Sequence, residues 1–340
     1  MRTILDVEKH SGVSRSTISR YLNGKPVTDD NRVKIEHSIK VLNYHRNPLA
    51  SGLKSNKTML VGIVIPDITD PFFPPIVKDL EQQLWEQGYQ TLINNYNNDI
   101  ELEKKQVRVL INQRIDGLII ASGAIDGAHI QEVLDKGIPV VMIDRLLSDV
   151  KCDSVTTDNY YATYHAIQEV IQMGHTKIAI IRGQEHVYSD QVRYWGYENA
   201  LRANGIPVRS EYVIHSALSE HDSAEKFQEL MNLPDPPTLI FSSNIYLAAG
   251  AVGAKLEYNL NIPEDVSVLT FDKVSAFPYY SFLRCLKPEF ASICQPIADI
   301  ATEASELLLH RMQTGMEDYN PIHRELKNTL TLTESIKDLR

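Results

Sequence analysis

From residue 59 onward the chain alternates between short apolar runs and amphipathic stretches. The runs LVGIVIP, QTLINNY, DGLIIAS, PVVMID, KIAIIRG, TLIFSS and VSVLTFD have the length and apolar content of strands. Between them lie stretches with helical periodicity, among them 75–87, 101–114, 161–173 and 244–257. Strand and helix in alternation predict parallel sheets with helices on both faces. The length allows two such sheets, and the change in pattern at SVTTDN, 154–159, predicts a crossing between them.

The first 46 residues follow a different pattern, all helical. Thr3 followed by Asp6 resembles a capping box with Asp in place of Glu, opening a helix that runs to Ser11 and ends at Gly12. Ser14 caps a second helix through Leu22; Ile18, Tyr21 and Leu22 face a core while Arg15, Ser16, Ser19 and Arg20 face out. Two short helices joined by a tight glycine turn make a helix-turn-helix. A third helix follows the Thr28 cap, with Val33, Ile35, Ile39 and Leu42 as its apolar stripe. Small hydroxyl side chains let a helix approach a sugar-phosphate backbone, and arginine supplies both phosphate charge and a bidentate fork for guanine. A solvated face on a generic helix pair has the same periodicity.

Charge separates these regions. The net charge of −10 resolves into eleven Lys/Arg against five Asp/Glu over residues 1–57, a balance of +6, and therefore −16 for the rest. A basic module on an acidic body is the charge pattern of a nucleic-acid binder with a second function. The three cysteines, Cys152, Cys285 and Cys294, have no metal-ligand spacing and read as thiols of a reducing compartment. With no secretory signal pattern and no apolar run of about 18 residues, the expected location is the cytoplasm, with no membrane partner.

The segment YHRNPLASGLKSNKT, 44–58, places an Asn cap and a first-turn Pro before Leu49, Ala50 and Leu53, or is simply a linker. Taken together, TILDVEKHSGVSRSTISRYLNGKP, NYHRNPLASGL and VGIVIPDITDPFF closely resemble the start of a LacI/GalR-family transcription regulator, and the resemblance extends over nearly the whole chain. It implies an α/β protein with an N-terminal all-α helix-turn-helix DNA-binding domain, 1–46, and a hinge helix and linker, 47–58. The body, 59–340, would be a two-subdomain, periplasmic-binding-protein-like unit of two doubly wound parallel sheets. Subdomain one would hold about 59–157 and 290–319, subdomain two about 158–289 and 320–335, with the chain crossing again near 290 and near 320.

By the same resemblance, Arg15 and Ser16 read bases with Arg20 in support, while Thr3, Ser14, Thr17, Ser19 and Asn23 contact phosphates. Asn47, Ala50 and Leu53 belong to the hinge, where Leu53 wedges into the minor groove beside its dimer mate. Gly52 departs from a good helix former and costs about 1 kcal/mol relative to alanine.

Open parallel sheets bind ligands beyond the carboxyl ends of their strands, which directs attention to the residues after each run. Phe72 and Phe73 can form an apolar wall for a sugar ring, or are core aromatics at a helix start. Asp144 and Arg145 end a strand and can equally be a surface ion pair. Arg193, three residues before Gly196, matches the family position that reaches the effector; Asp272 matches the family acid that accepts effector hydroxyls, and Asn244 the start of the family's Asn-Asp pair. Ile245 replaces the acid of that pair and Lys273 follows Asp272, so the cleft reads as less negative than in relatives. With Arg145, Arg182 and Arg193 at or near strand ends, a carboxylate- or phosphate-bearing effector is expected, against a neutral saccharide as the other choice.

No Gly-rich phosphate loop of the Walker type, nucleophile elbow or His/Cys metal spacing is present in the sequence, so neither catalysis nor a cofactor is expected. The expected function is that of a repressor: a homodimer on a pseudo-palindromic operator, released by a small sugar-like effector. A periplasmic-type sugar-binding protein and a sugar-modifying enzyme are the alternatives. After TLTLTES only IKDLR remains, too short for a tetramerising leucine-repeat helix.

Overall fold

The computed structural model describes residues 2–22, 24–44, 57–217, 219–273, 287–316 and 319–340, which fall into two compact units, 1–59 and 60–340. In the first unit, α1 spans Ile4–Ser11, α2 Arg15–Leu22 and α3 Asp29–Leu42. The Thr3 amide donates to the Asp6 carboxylate at 2.7 Å and its hydroxyl donates to the same carboxylate at 3.0 Å, so Asp serves here as Glu commonly does. Gly12 adopts φ 68°, a left-handed conformation open to glycine, and stops α1. The cap of α2 is shared. Glu8 on α1 accepts the Arg15 amide at 2.9 Å, while Ser14 Oγ is 3.4 Å from the Thr17 amide. Thr28 occupies the cap position of α3, but its hydroxyl makes no cap bond; Asp29 and Asp30 in the first turn complement the helix dipole instead.

Val7, Val13, Ile18 and Ile35 form the buried centre of this unit, ringed by Ile4, Tyr21, Leu22, Ile39 and Leu42. Burial of each aliphatic side chain contributes about 1.5–3 kcal/mol before chain entropy is counted. Val33 corrects the expected stripe: it is 63% exposed. Positions 33 and 35 lie about 200° apart around a helix, so one face cannot hold both.

The second unit contains two six-stranded sheets. The first has β1 (Leu60–Ile65), β2 (Gln90–Asn95), β3 (Gly117–Ile120), β4 (Val140–Ile143), β5 (Asp153–Thr157) and β11 (His323–Leu326), in the order β11-β5-β4-β3-β1-β2. The second has β6 (Ile178–Arg182), β7 (Val213–His215), β8 (Leu239–Ser242), β9 (Ser267–Phe271), β10 (Ala291–Cys294) and β12 (Thr329–Thr331), in the order β12-β10-β9-β8-β6-β7. All pairings are parallel except β10 with β12. Six of the seven apolar runs become strands buried along nearly their whole length, and QTLINNY becomes the half-exposed edge strand β2. Helices α4 (Phe73–Glu86), α5 (Ile100–Asn112), α6 (Ala128–Asp135), α7 (Asn159–Gln172), α8 (Tyr188–Ala203), α9 (Glu220–Met231) and α10 (Ile245–Glu257) connect the strands.

The chain passes between the sheets three times. β5 ends at Thr157 and α7 begins the second half; after β10 the chain returns as α11 (Ile297–Thr314), whose Ile300, Ala304 and Leu308 enter the first half's core; after β11 it goes back to β12. The later crossings fall farther along the chain than 290 and 320. β10 pairs with β9, Ala291 opposite Leu269, and Ala291 and Ile293 join the second core. β11 pairs with β5, His323 opposite Ser154, as a half-polar edge strand. Both strands are too short and too mixed in polarity for their partners to be read from pattern. The final segment also belongs to the second half: Ile336 enters its core and the Leu339 amide donates to Met173 O at 2.8 Å.

Candidate functional site

The carboxyl ends of the strands in both halves converge on one cleft that is open to solvent. Loops after β1, β4, β6, β8 and β9 and the start of α8 line it, as the strand-end rule for parallel sheets requires. Phe72, Phe73, Arg145, Arg193, Asn244 and Asp272, expected separately from sequence, all face this one space. Asp67, Asp70, Asn98, Asp190, Tyr246 and Gln295 also line it and were missed.

Phe72 and Phe73 meet edge to face, with ring centroids 5.0 Å apart, and both also belong to the first half's core. The two readings of these rings are therefore compatible. Asn244 caps α10, its side-chain oxygen accepting the Leu247 amide at 3.1 Å. Asp144 and Asp272 end β4 and β9 with φ of 62° and 68°, so each half presents an aspartate from a left-handed position that few side chains other than Asn and Asp adopt.

The arginines are largely engaged within the protein. Arg182 is buried, not solvent-facing, and its Nε and Nη2 donate to Asp190 Oδ2 at 2.9 and 2.6 Å. Asp190 accepts two further bonds at Oδ1, from the Gly183 amide and the Ser243 hydroxyl. Arg193 donates to Asn159 Oδ1 and to Ser243 O, both at 2.8 Å, with its guanidinium 3.5 Å from the centre of the Phe271 ring. Arg145 lies 3.3 Å from Asp144 and 3.4 Å from the Tyr96 hydroxyl.

Against Arg145 and Arg193 stand five lining carboxylates, Asp67, Asp70, Asp144, Asp190 and Asp272. Three of these acids, Asp67, Asp70 and Asp190, lie at positions other than 245 and 273, and Asp190 is paired with Arg182. Burial pushes Asp70 up to about 7, opposed by the Phe72 amide it accepts and reinforced by the Asp272 charge. Burial likewise lifts Asp272 to about 6, opposed by the Arg193 charge and by the Gln295 amide, which donates to both its oxygens at 3.1 Å. Burial lowers Arg193, with Asp272 opposing. Asp190 carried a readable signal: it precedes Arg193 by three residues on one helix, on the same face.

In the helical unit, Thr3, Ser14, Arg15, Ser16 and Arg20 are exposed, and Thr17 and Ser19 are half-buried. Ser14 Oγ lies 3.0 Å from Ser16 Oγ and 2.9 Å from Thr17 Oγ1. Three hydroxyl hydrogens serve two internal contacts, which leaves one O–H to offer outward. Arg20 donates to Pro26 O at 3.2 Å, bracing the turn after α2, and the Thr3 hydroxyl is directed to Asp6. Asn23, Asn47, Ala50 and Leu53 lie outside the described residues.

Comparison with known proteins assigns both units. The profile of the bacterial regulatory proteins of the LacI family matches residues 3–47, and that of the periplasmic binding proteins and sugar binding domain of the LacI family matches 58–281. The HTH-type transcriptional repressor PurR of Haemophilus influenzae (strain PittEE) is 30% identical over 351 aligned positions, covering 100% of each chain. A LacI family transcriptional regulator from Enterococcus faecium, solved with bound ribose, is 27% identical with a TM-score of 0.70, covering 83% of this chain and 100% of that one. The lac repressor dimer bound to operator and an anti-inducer shares the fold over 99% of both chains, with a TM-score of 0.84 at 22% identity. Among the described residues no helix is long and apolar enough to cross a membrane. The chain belongs to the LacI family of bacterial regulatory proteins and is a transcriptional repressor, not an enzyme.

Proposed function

We propose that this repressor binds a pseudo-palindromic operator as a homodimer in the cytoplasm and responds to a small, uncharged, polyhydroxylated effector in the cleft. The observation that carries the effector class is the engagement of the arginines: Arg182 with Asp190, Arg193 with Asn159 and Ser243, Arg145 with Asp144. An anionic effector would have to break these contacts and then face five carboxylates. A polyol instead donates hydroxyl hydrogens to Asp70, Asp144 and Asp272 and lays an apolar ring face on Phe72 and Phe73. The ribose in the Enterococcus faecium relative is a ligand of this kind.

In this reading residues 1–46 bind DNA, 47–58 are the hinge segment and the body begins at 59. Arg15 and Ser16 read bases with Arg20 in support; Thr3, Ser14, Thr17, Ser19 and Asn23 meet phosphates, and Asn47, Ala50 and Leu53 act at the hinge. Two-fold symmetry of the dimer sets the symmetry of the operator. Ligand in the cleft changes the opening of the two halves and, through the hinge segments, operator affinity. The test is thermal stabilisation against matched neutral sugars, sugar acids, sugar phosphates and nucleosides. A ligand at 100 times its Kd adds about 2.7 kcal/mol to the folded state. Hits confined to neutral sugars or nucleosides support this class, and hits confined to acids or phosphates overturn it.

A further inference from the structure

We infer that Tyr246 is a positioning residue that ties the two halves of the body together across the mouth of the cleft. This rests on reading the cleft as the effector site and concerns how far open that site stands. Tyr246 is the second residue of α10 in the second half, and its hydroxyl donates to Asp67 Oδ2 of the first half at 3.2 Å. The same hydroxyl lies 3.2 Å from Thr69 Oγ1. These partners are 179 and 177 positions away in sequence, in the loop that leaves β1 and carries Asp70 and Phe72.

Both ends of the tie are aimed in advance. Asp67 Oδ1 accepts the Thr69 amide at 2.8 Å and the Thr69 hydroxyl at 2.7 Å, which turns Oδ2 toward the tyrosine. On the other side, Asn244 caps the first turn of α10 and so sets where residue 246 stands. Among the described residues, other side-chain bonds between the two halves lie where the chain crosses, such as Thr157 to Gln295 at 3.0 Å and the Asn328 amide to Asp158 at 2.8 Å. Those positions are pivots that persist when halves rotate. A bond between the two lips breaks on opening, so Tyr246 weights the closed arrangement.

A contact that raises the fraction of closed, binding-competent protein raises apparent ligand affinity by the same factor. Tyr246 would then tune effector sensitivity through the closure of the two halves.

The test is peptide-resolved hydrogen exchange on the full-length, ligand-free protein, comparing wild type, Tyr246→Phe, Asp67→Ala and the double variant. Tyr246→Phe changes nothing within the first half. The tie requires exchange in 66–73 to quicken by roughly two- to tenfold, the range for one net hydrogen bond. Asp67→Ala must in return quicken 244–249. The double variant must match the larger single effect in the segment each variant only touches from afar. Exchange that rises only on the mutated side, effects that multiply in the double variant, or no change in either segment would each overturn the tie. The sugar panel tests the effector reading separately, because none of these exchange measurements needs a ligand.

Discussion

Asp70 and Asp272 give up their protons at higher pH than ordinary aspartates do. Their carboxyls stand at about 7 and about 6, against about 3.9 in an unfolded chain. Between pH 4 and 7 the folded protein binds more protons than the unfolded one, so these groups lower stability as pH rises through that window. Asp70→Asn should therefore raise stability at pH 8 by about 1–2 kcal/mol, allowing for water in the open cleft, with the gain vanishing below pH 4. Denaturant unfolding at several pH values reads this, and a gain independent of pH would refute it. The same change should weaken effector binding, since an acceptor is lost. In the recognition helix, Arg15→Ala should broaden the sites recovered by selection from random DNA, whereas Ser19→Ala should weaken all sites alike. At this scale, residues directly after long apolar strands were legible. Tyr246 was not, because its meaning comes from Asp67, 179 positions away.

Helices α7 and α8 approach so closely that a methyl group at Gly196 would lie 2.5 Å from the Tyr160 carbonyl oxygen and 2.9 Å from Thr163 Cβ. Gly196→Ala must push the helices apart, with a loss of about 1–3 kcal/mol. Because Arg193 is one turn earlier on α8, the shift should also loosen its seat on Phe271 and lower effector affinity beyond the loss in stability; unchanged affinity would show that the seat is held from elsewhere. Long buried strands and amphipathic helices could be read from pattern because each carries its own signal. β7, β10 and β11 could not, because VIH, ASIC and HREL are not continuous runs of large apolar residues and are defined by partners distant in sequence. For the same reason the crossings after β10 and β11 were expected too early. The Thr28 cap and Val33 mark two other limits: residue type suggested a role that helix phase and local geometry did not support.

For the whole molecule, coupling between cleft and operator must be reciprocal. An effector that weakens operator binding tenfold must itself bind tenfold more weakly to the operator complex. Titrating effector into free protein and into the DNA complex by calorimetry checks this; unequal factors would mean that the two sites are not linked through one equilibrium. The three crossings also bear on how the protein is made. The first half's sheet begins at residue 60, yet Ile300, Ala304 and Leu308, which complete its core, emerge from the ribosome only after nearly all of the second half has been synthesised. The helical unit has a core entirely within residues 1–44 and needs none of this. During synthesis, the DNA-binding portion can fold while the body still exposes apolar sheet, the state that chaperones hold and proteases remove. A truncation before residue 297 should therefore be cleared from the cell rather than accumulate as a regulator deaf to its effector.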